Sequence, residues 1–524
     1  MNQPLPSSRR LILLSVSLMI TVVLLAGMMG VFVLSDHDLR QAIRFAHTAV
    51  EIEQMYPGQV DFDELYHSAM DAMVANLDRY SSFVPAGQFK QIDEEMTGGY
   101  GGIGVSVLEH DDGLLVMSVR EHGPASEAGL LTGDIIVQAD SVRLAGLSVE
   151  ASSRLLRGPE GSPVRLEIYR PVSEDSLSFT LKRRRINFMH IPFAGFTPDS
   201  ILYLRLLDFD AGAADDVRDA LDSLMHKHGS RPVGLILDLR GNPGGLFTEA
   251  YRTADLFLEQ GQFIVGTDAR SRWNREKHYA TEHDVTGGLP MIVLVDRGSA
   301  SAAEIVAGSL QQLGRAKLVG DTTFGKGLVQ GFTRFPDGSG LRLTISRYYL
   351  AGNVYLNDFD STLEEVGRGL VPDFYFRSDD RKEFPRRLES SLLLQQYAVA
   401  HQDEIVETGT AFGLSGDWVR SFREYATDHG FRFESRATRS AELVYDFARI
   451  EHVHIPTLKA VQNLRRLART YDQRMFTLYG DYIRMRLREI SFERKFGIYR
   501  AYADVIVRER SDIRFAATLL KGGV

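Results

Sequence analysis

Val233-Gly234-Leu235-Ile236-Leu237-Asp238-Leu239 runs directly into Arg240-Gly241-Asn242-Pro243-Gly244-Gly245. An apolar run of this length, closed by a Gly/Pro-rich turn, reads as a buried strand. The residues after the turn, from about Leu246 to Leu258, read as an amphipathic helix. The pattern then recurs. Met291-Ile292-Val293-Leu294-Val295 leads through Gly298-Ser299-Ala300-Ser301-Ala302-Ala303-Glu304 into another helix, and Lys317-Leu318-Val319-Gly320 leads to Phe324-Gly325-Lys326-Gly327. Strand–helix–strand order implies parallel pairing with crossover helices, and functional sites form in the loops at the carboxyl ends of such strands.

Upstream, from Gly101 to about Arg183, the chain reads as a small β-rich unit. Val164-Arg165-Leu166-Glu167-Ile168-Tyr169 and Leu177-Ser178-Phe179-Thr180-Leu181 alternate like half-buried strands. Gly102-Ile103-Gly104-Val105 enters the first strand. Pro124-Ala125-Ser126-Glu127-Ala128-Gly129-Leu130 makes one short helix, Gly133-Asp134-Ile135-Ile136-Val137 follows, and a second helix falls near Val149–Leu156. In this order the segments resemble a PDZ domain. The resemblance implies that the unit binds a peptide C-terminus as an added strand, with the backbone N–H groups of Gly102, Ile103, Gly104 and Val105 on the terminal carboxylate.

The chain has 524 residues and a formal charge of −9, which argues against nucleic acid as a partner. It has no cysteine, so disulfides, thiolate catalysis and cysteine-held zinc or iron–sulfur sites are excluded. Arg9 and Arg10 precede an uncharged apolar run, Leu11–Leu34. As a helix its 24 residues rise about 36 Å, enough to cross a hydrocarbon core of roughly 30 Å. This reads as an uncleaved anchor with the arginines in the cytoplasm and the body exported. Residues 378–524 carry 25 basic and 21 acidic residues and read as helices, with Leu464, Leu467, Tyr471 and Met475 at helical spacing, and Tyr479, Tyr482, Ile483 and Leu487 likewise. The arginines Arg484, Arg486 and Arg488 read as a solvated helix face.

Three motif matches fail on context. Gly99-Tyr100-Gly101-Gly102-Ile103-Gly104 fits the dinucleotide fingerprint, but the residues that follow read as a β-hairpin instead of a helix. Gly320 to Lys326 resembles a phosphate loop, but Gly327 offers no hydroxyl and a strand follows. His226-Lys227-His228 and His452-Val453-His454 lack a third metal ligand at a recognisable spacing. No metal or cofactor is implied.

The loops after the parallel strands offer acyl-transfer chemistry. A serine at a helix start, a lysine on a neighbouring loop and a Gly-Gly turn make a plausible set. Lysine serves as a base only when neutral, against a reference pKa of about 10.4, and burial lowers that value. Backbone N–H groups at a helix start and in a Gly-Gly turn stabilise an oxyanion. Each feature also has a bland reading. Ser301-Ala302-Ala303-Glu304 is a capping box worth about 1 kcal/mol, Gly244-Gly245 is a plain turn, and Lys326 is a solvated lysine.

Together, however, these segments resemble the C-terminal processing peptidases, or tail-specific proteases, which are Ser-Lys serine peptidases. The resemblance begins at Leu77-Asp78-Arg79-Tyr80-Ser81-Ser82-Phe83 and ends at Gly367-Arg368-Gly369-Leu370-Val371-Pro372-Asp373. It implies Ser301 as nucleophile in preference to Ser299, Lys326 as base and Gln330 as the residue that orients the lysine. It also implies the backbone of Ala302 and of Gly244 or Gly245 as oxyanion donors. Gln312 stands where many relatives have aspartate. The implied fold class is α/β, a crotonase-like ββα protease core with an inserted PDZ domain, an N-terminal transmembrane helix and an α-helical C-terminal region.

The domain boundaries that follow are 1–36 for the stub and anchor, 37–94 for an N-terminal helical part, 95–183 for the PDZ domain, 184–377 for the protease core and 378–524 for the helical tail. The expected protein is a single-pass inner- or plasma-membrane endopeptidase with its body on the periplasmic or extracytoplasmic side. Its expected partners are proteins or peptides with free C-termini, and the membrane. A homo-oligomer stays open, as does the choice between a PDZ domain that only tethers substrate and one that gates the site. The rival reading is a catalytically silent exported PDZ scaffold.

Overall fold

The computed structural model describes residues 37–523 apart from 88, 90–98, 121, 172, 188, 228–230, 359–365, 380–381, 409–416 and 452–453. The expected anchor, Leu11–Leu34, lies outside the described residues. Among those that are described, no helix is long and apolar enough to cross a membrane.

The chain divides into two units, residues 1–83 and 84–524. In the first, Asp61 caps the helix Phe62–Val74 by accepting from the N–H groups of Asp63 and Glu64. The longer helix His37–Met55 buries none of its residues.

The second unit contains the sheet that the strand–helix–strand reading expects. Its strands are β1 (Phe193–Phe196), β2 (Leu202–Arg205), β3 (Leu235–Asp238), β5 (Met291–Val295), β6 (Lys317–Gly320) and β9 (Phe374–Tyr375), lying side by side in that order. β2, β3, β5, β6 and β9 run parallel, and β1 pairs antiparallel with β2. The register Leu235↔Met291 and Ile292↔Lys317 brings Asp238, Val295 and Gly320 to one end of the sheet, where the functional loops begin. A second sheet contains β4 (Phe263–Asp268), β7 (Leu328–Arg334) and β8 (Gly340–Leu350), with β8 paired to both of the others.

Side-chain alternation decides what covers each face of the parallel sheet. Leu235, Leu237, Met291, Val293, Val295 and Leu318 pack on helices α1 (Ala213–Lys227), α2 (Phe247–Asp255) and α3 (Ala302–Gln312). Tyr203, Ile236, Ile292, Leu294 and Val319 pack on the opposite side against the end of the chain, including α5 (Ser511–Lys521).

The PDZ-like unit forms its own sheet around Leu114, Val116, Ile136, Leu166 and Ile168. The strand Val105–His110 is at its edge and, among the described residues, pairs only with Gly113–Val119. The expected helices stand at Pro124–Ala128 and Val149–Leu156. The run from Gly99 to His110 contains strands throughout its regular structure, so the dinucleotide reading fails as expected. β7 likewise follows Lys326 where a phosphate loop requires a helix.

The tail is helical, and its main core gathers Phe384, Leu394, Tyr397, Phe422, Ile483 and Leu487. The structure corrects one reading here. Arg486 and Arg488 of α4 (Gly480–Phe496) are not on a solvated face, whereas Arg484 pairs with the exposed Asp481. Arg488 is buried and paired with Glu509, and Arg486 bridges Glu389 at 2.8 Å and Glu489 at 2.7 Å. Buried arginines of this kind persist only when they are paired.

Candidate active site

The loop after β5 is fixed before it reaches Ser301. Asp296 Oδ1 accepts from the N–H groups of Gly298 and Gly241, both at 2.8 Å. Ser299 is fully buried. Its hydroxyl donates to the Leu239 carbonyl at 2.8 Å and accepts from the Asp296 N–H at 2.9 Å. The Ala300 N–H bonds to the Asn242 carbonyl at 2.9 Å. These bonds zip the serine loop to the turn after β3, and they commit the Ser299 hydroxyl to structure. Ser301 follows at φ 54°, ψ −114°, outside the regions that non-glycine residues readily occupy, and α3 starts at the next residue.

The lysine loop after β6 is tied to the serine loop and to the segment that contains Leu370. The Phe324 N–H bonds to the Ser299 carbonyl at 3.0 Å, and the Thr323 N–H to the Leu370 carbonyl at 3.1 Å. Gly325 has φ +89°, and a Cβ there would stand 2.7 Å from the Gly367 carbonyl carbon and the Gly369 nitrogen. The Gly367-Arg368-Gly369-Leu370 segment and the lysine loop therefore meet backbone to backbone, which only glycine permits. Lys326 Nζ donates to Gln330 Oε1 at 3.3 Å. A register shift in β7 between Val329 and Gln330 makes a bulge at this position, the device that re-aims a strand side chain.

One cavity of about 240 Å³ is lined by Ser301, Ala302, Gly245, Lys326 and Gln330. Three expected residues that are separated in sequence (the serine, the lysine and the glutamine) thus share a single space. Asp210 and Tyr348 line it too. Tyr348 sits in the alternating strand β8 with no motif around it, so no sequence signal singles it out. Gln312 is exposed at the last residue of α3, away from this cavity's lining.

The two glycines differ. Gly244, at φ +102°, packs so tightly that a Cβ would stand 2.8 Å from the Ser301 Cβ and 2.9 Å from the Ala302 nitrogen. Its N–H is taken by Asn242 Oδ1 at 2.9 Å. Among the described residues the N–H groups of Gly245 and Ala302 have no hydrogen-bond partner.

Below the loops lies Glu304, fully buried on the first turn of α3. Burial pushes its carboxyl above the ordinary glutamate value, and bonds from Thr323, Gly325, Lys326 and Ser301 pull against that shift.

In the PDZ-like unit, the carbonyls of Ile103 and Gly104 accept from Ala125 and Arg120, both at 2.9 Å. The N–H groups of Ile103 and Gly104 have no partner among the described residues. They stand at the entrance to the edge strand Val105–His110, where strand addition requires an anion-binding turn.

Asp238 and Arg240 have a different task. Asp238 is fully buried and accepts from Tyr203 at 2.5 Å and Arg205 at 2.6 Å, while Arg240 bonds both Asp238 and Asp512. Burial by itself raises the Asp238 carboxyl, but the two guanidiniums hold it well below the usual carboxylate range.

The family model for Peptidase family S41 matches residues 200–359, and that for the PDZ domain matches residues 101–182. Over 341 residues the chain is 32% identical to the carboxy-terminal-processing protease of Bartonella bacilliformis, covering 65% of this chain and 78% of that protein. It is 33% identical over 308 residues to the carboxy-terminal processing protease CtpA of Bacillus subtilis, covering 59% and 65%. The chain therefore spans somewhat less than two thirds of the latter. Among solved structures, the photosystem II D1 C-terminal processing protease is 25% identical, with 63% of this chain and 86% of that one covered and a TM-score of 0.37, an overlap too loose to argue arrangement from.

Proposed function

Since the chain belongs to the C-terminal processing peptidases of family S41 and is a serine-type peptidase, we propose that Ser301 and Lys326 are its catalytic dyad, serving a PDZ domain that captures substrate C-termini. The observation that carries this reading is the shared cavity. Ser301, Lys326 and Gln330 line it together, beside the unpartnered N–H groups of Gly245 and Ala302.

Neutral Lys326 takes the Ser301 hydroxyl proton as the oxygen attacks the scissile carbonyl, and the same proton goes to the leaving amine. Gln330 holds the amine through its side-chain oxygen. The negative oxygen of the tetrahedral intermediate faces the Gly245 and Ala302 N–H groups. Gly244 contributes shape, because its own N–H is used by Asn242. Water then hydrolyses the acyl-enzyme. A substrate carboxylate at the Ile103 and Gly104 N–H groups tethers the chain end while the core cuts upstream of it.

In the same reading the protein is held by Leu11–Leu34 in the inner or plasma membrane with its body exported, which rests on that run and on Arg9-Arg10. Protease added outside native-orientation vesicles digests the body if this topology holds, and leaves it intact if the body is cytoplasmic.

The deciding experiment is peptide cleavage by Ser301→Ala, Lys326→Ala and Ser299→Ala variants, each checked by a thermal melt. The first two are expected to lose activity with the melt unchanged, whereas a catalytic Ser299 would make its variant the dead one. An active Ser301→Ala protein refutes the dyad. Failure of the wild type to react with a serine-directed probe supports the silent PDZ scaffold instead.

A further inference from the structure

The backbones of Ser301 and Lys326 converge on two side chains, Glu304 from the serine's own capping box and Tyr348 from β8. Glu304 Oε2 accepts from the Ser301 N–H at 2.9 Å and from the Lys326 N–H at 2.8 Å. Its other oxygen, Oε1, accepts from the Gly325 N–H at 2.7 Å and from the Thr323 hydroxyl at 2.5 Å. On the carbonyl side, the Tyr348 hydroxyl lies 2.7 Å from the Lys326 carbonyl oxygen and 3.2 Å from that of Ser301. One oxygen thus gathers both N–H groups, and one hydroxyl faces both carbonyls.

The chemistry of the two staples is specific. An ionised carboxylate has about four lone-pair sites and no donor. Glu304 meets four donors, so all of that capacity is used. Glutamine has the same shape but would aim an NH₂ at two of those donors. Tyr348 is buried in β8, and its own N–H bonds to the Gly327 carbonyl at 3.0 Å, so the strand carrying the hydroxyl is itself tied to the lysine loop. The arrangement also accounts for the serine's backbone. A non-glycine residue at φ 54°, ψ −114° persists only where its surroundings impose that conformation. Here the Ser301 N–H is held by the Glu304 carboxylate, while its carbonyl accepts from the Glu304 and Ile305 N–H groups and faces the Tyr348 hydroxyl.

We propose that Glu304 and Tyr348 are positioning residues, which hold the backbones of Ser301 and Lys326 in one register so that hydroxyl and amine meet. This rests on the Ser301–Lys326 reading above.

The test is steady-state cleavage of a peptide by the full chain carrying Tyr348→Phe or Glu304→Gln, with kcat, KM, the pH profile of kcat/KM and a thermal melt for each. A displaced reacting group costs on the order of 10²-fold in rate. Glu304→Gln is therefore expected to lose kcat by about that factor, and Tyr348→Phe, which keeps the Glu304 staple, by about tenfold. KM should stay within about twofold, because neither side chain belongs to the binding module. The pH profile should shift, because the amine that titrates in it has moved, and a merely structural residue would not produce that shift.

Tyr348→Phe removes a single oxygen and decides the matter if Glu304→Gln does not fold. If Tyr348→Phe keeps its kcat and pH profile while Ser301→Ala and Lys326→Ala are dead, the positioning role is wrong and the dyad stands. If Ser301→Ala or Lys326→Ala is active, the dyad fails and the positioning role fails with it.

Discussion

The two faces of the parallel sheet are covered by chain of very different origin. On one face α1, α2 and α3 come from the connections between neighbouring strands, as the strand–helix–strand order requires. On the other face Ile236, Ile292, Leu294 and Val319 meet Ile513, Ala516, Ala517 and Leu520 from the end of the chain. The difference explains why one short motif serves two purposes. In Asp238-Leu239-Arg240-Gly241-Asn242-Pro243-Gly244-Gly245, the glycine end faces the serine. The charged end faces the tail, where Arg240 joins Asp238 to Asp512 across 272 residues of sequence. The tail that sequence reading leaves without a role is therefore a structural layer of the peptidase core.

The comparison breaks most decisively by truncation. Removing residues from Ser511 onward strips the second face and leaves Arg240 without Asp512. Loss of cooperative melting of the core is expected by circular dichroism. A truncated protein that melts like the full chain would mean that α5 is an accessory. Next comes Asp512→Asn. Removing one partner of a buried ion pair costs about 3–5 kcal/mol, read as a shift in the urea midpoint at neutral pH. Paired truncations then weigh the two faces against each other. Leu310→Ala on α3 and Leu520→Ala on α5 both remove a buried leucine and should each cost about 2–5 kcal/mol. If the second face is only loosely held, Leu520→Ala falls well below Leu310→Ala.

The difference between the faces also marks where the sequence was readable. Runs such as Met291–Val295, and the turns that close them, report strands and their parallel order, because that information is local. Periodicity assigns a residue to a face and names no partner for it, so the pairing of Ile236 with the tail was invisible. The same limit misread Arg486 and Arg488, since spacing along a helix does not separate a solvated arginine from one paired with Glu389 or Glu509. At the site, Ser301, Lys326 and Gln330 were legible through family spacing, and they line one cavity. The choice between Gly244 and Gly245 was not, because the direction of an N–H depends on φ and ψ. Nothing in the sequence singled out Tyr348, and Glu304 read as a cap.

Acid and base should separate the ion pairs of the sheet from the carboxyl chemistry of the tail. Burial raises the Asp512 carboxyl, but Arg240 and Arg510 outweigh it and bring it down to about 2. A depressed carboxyl contributes its stability above the unfolded value, near 3.9, and loses it as pH falls toward the folded one. Urea stability should therefore drop between about pH 4 and pH 2, and Asp512→Asn should flatten that limb. Glu493 on α4 has the opposite sign. Burial and then Glu489 push it up to about 7, against Arg486. A raised carboxyl favours the fold at low pH and loses that contribution as pH rises through the folded value. A Glu493→Gln variant should lose less stability than wild type between about pH 5 and pH 8. An identical slope in both proteins would place the titration elsewhere.

The smallest expected effect comes from the tail's helical hairpin, Arg436–Ile450 and Ile455–Gln473. Leu464, Leu467 and Tyr471 share a helical stripe with Met475, yet only Met475 is buried, at 2% exposure, whereas Leu467 is 63% exposed. On the opposing helix Leu443 is 72% exposed. An apolar stripe stabilises a fold by the area it removes from water, and these residues remove little. Leu443→Ser and Leu467→Ser should accordingly change stability by no more than about 0.5 kcal/mol, the range of surface substitutions away from special features. Leu487→Ser in the buried tail core should cost several times more, because it leaves a cavity and places an unpaired hydroxyl there. Urea unfolding of the three variants at two protein concentrations tests this. A large loss in Leu443→Ser or Leu467→Ser would show that the hairpin's stripe is covered in solution, and dependence of that loss on concentration would identify a second copy of the chain as the cover.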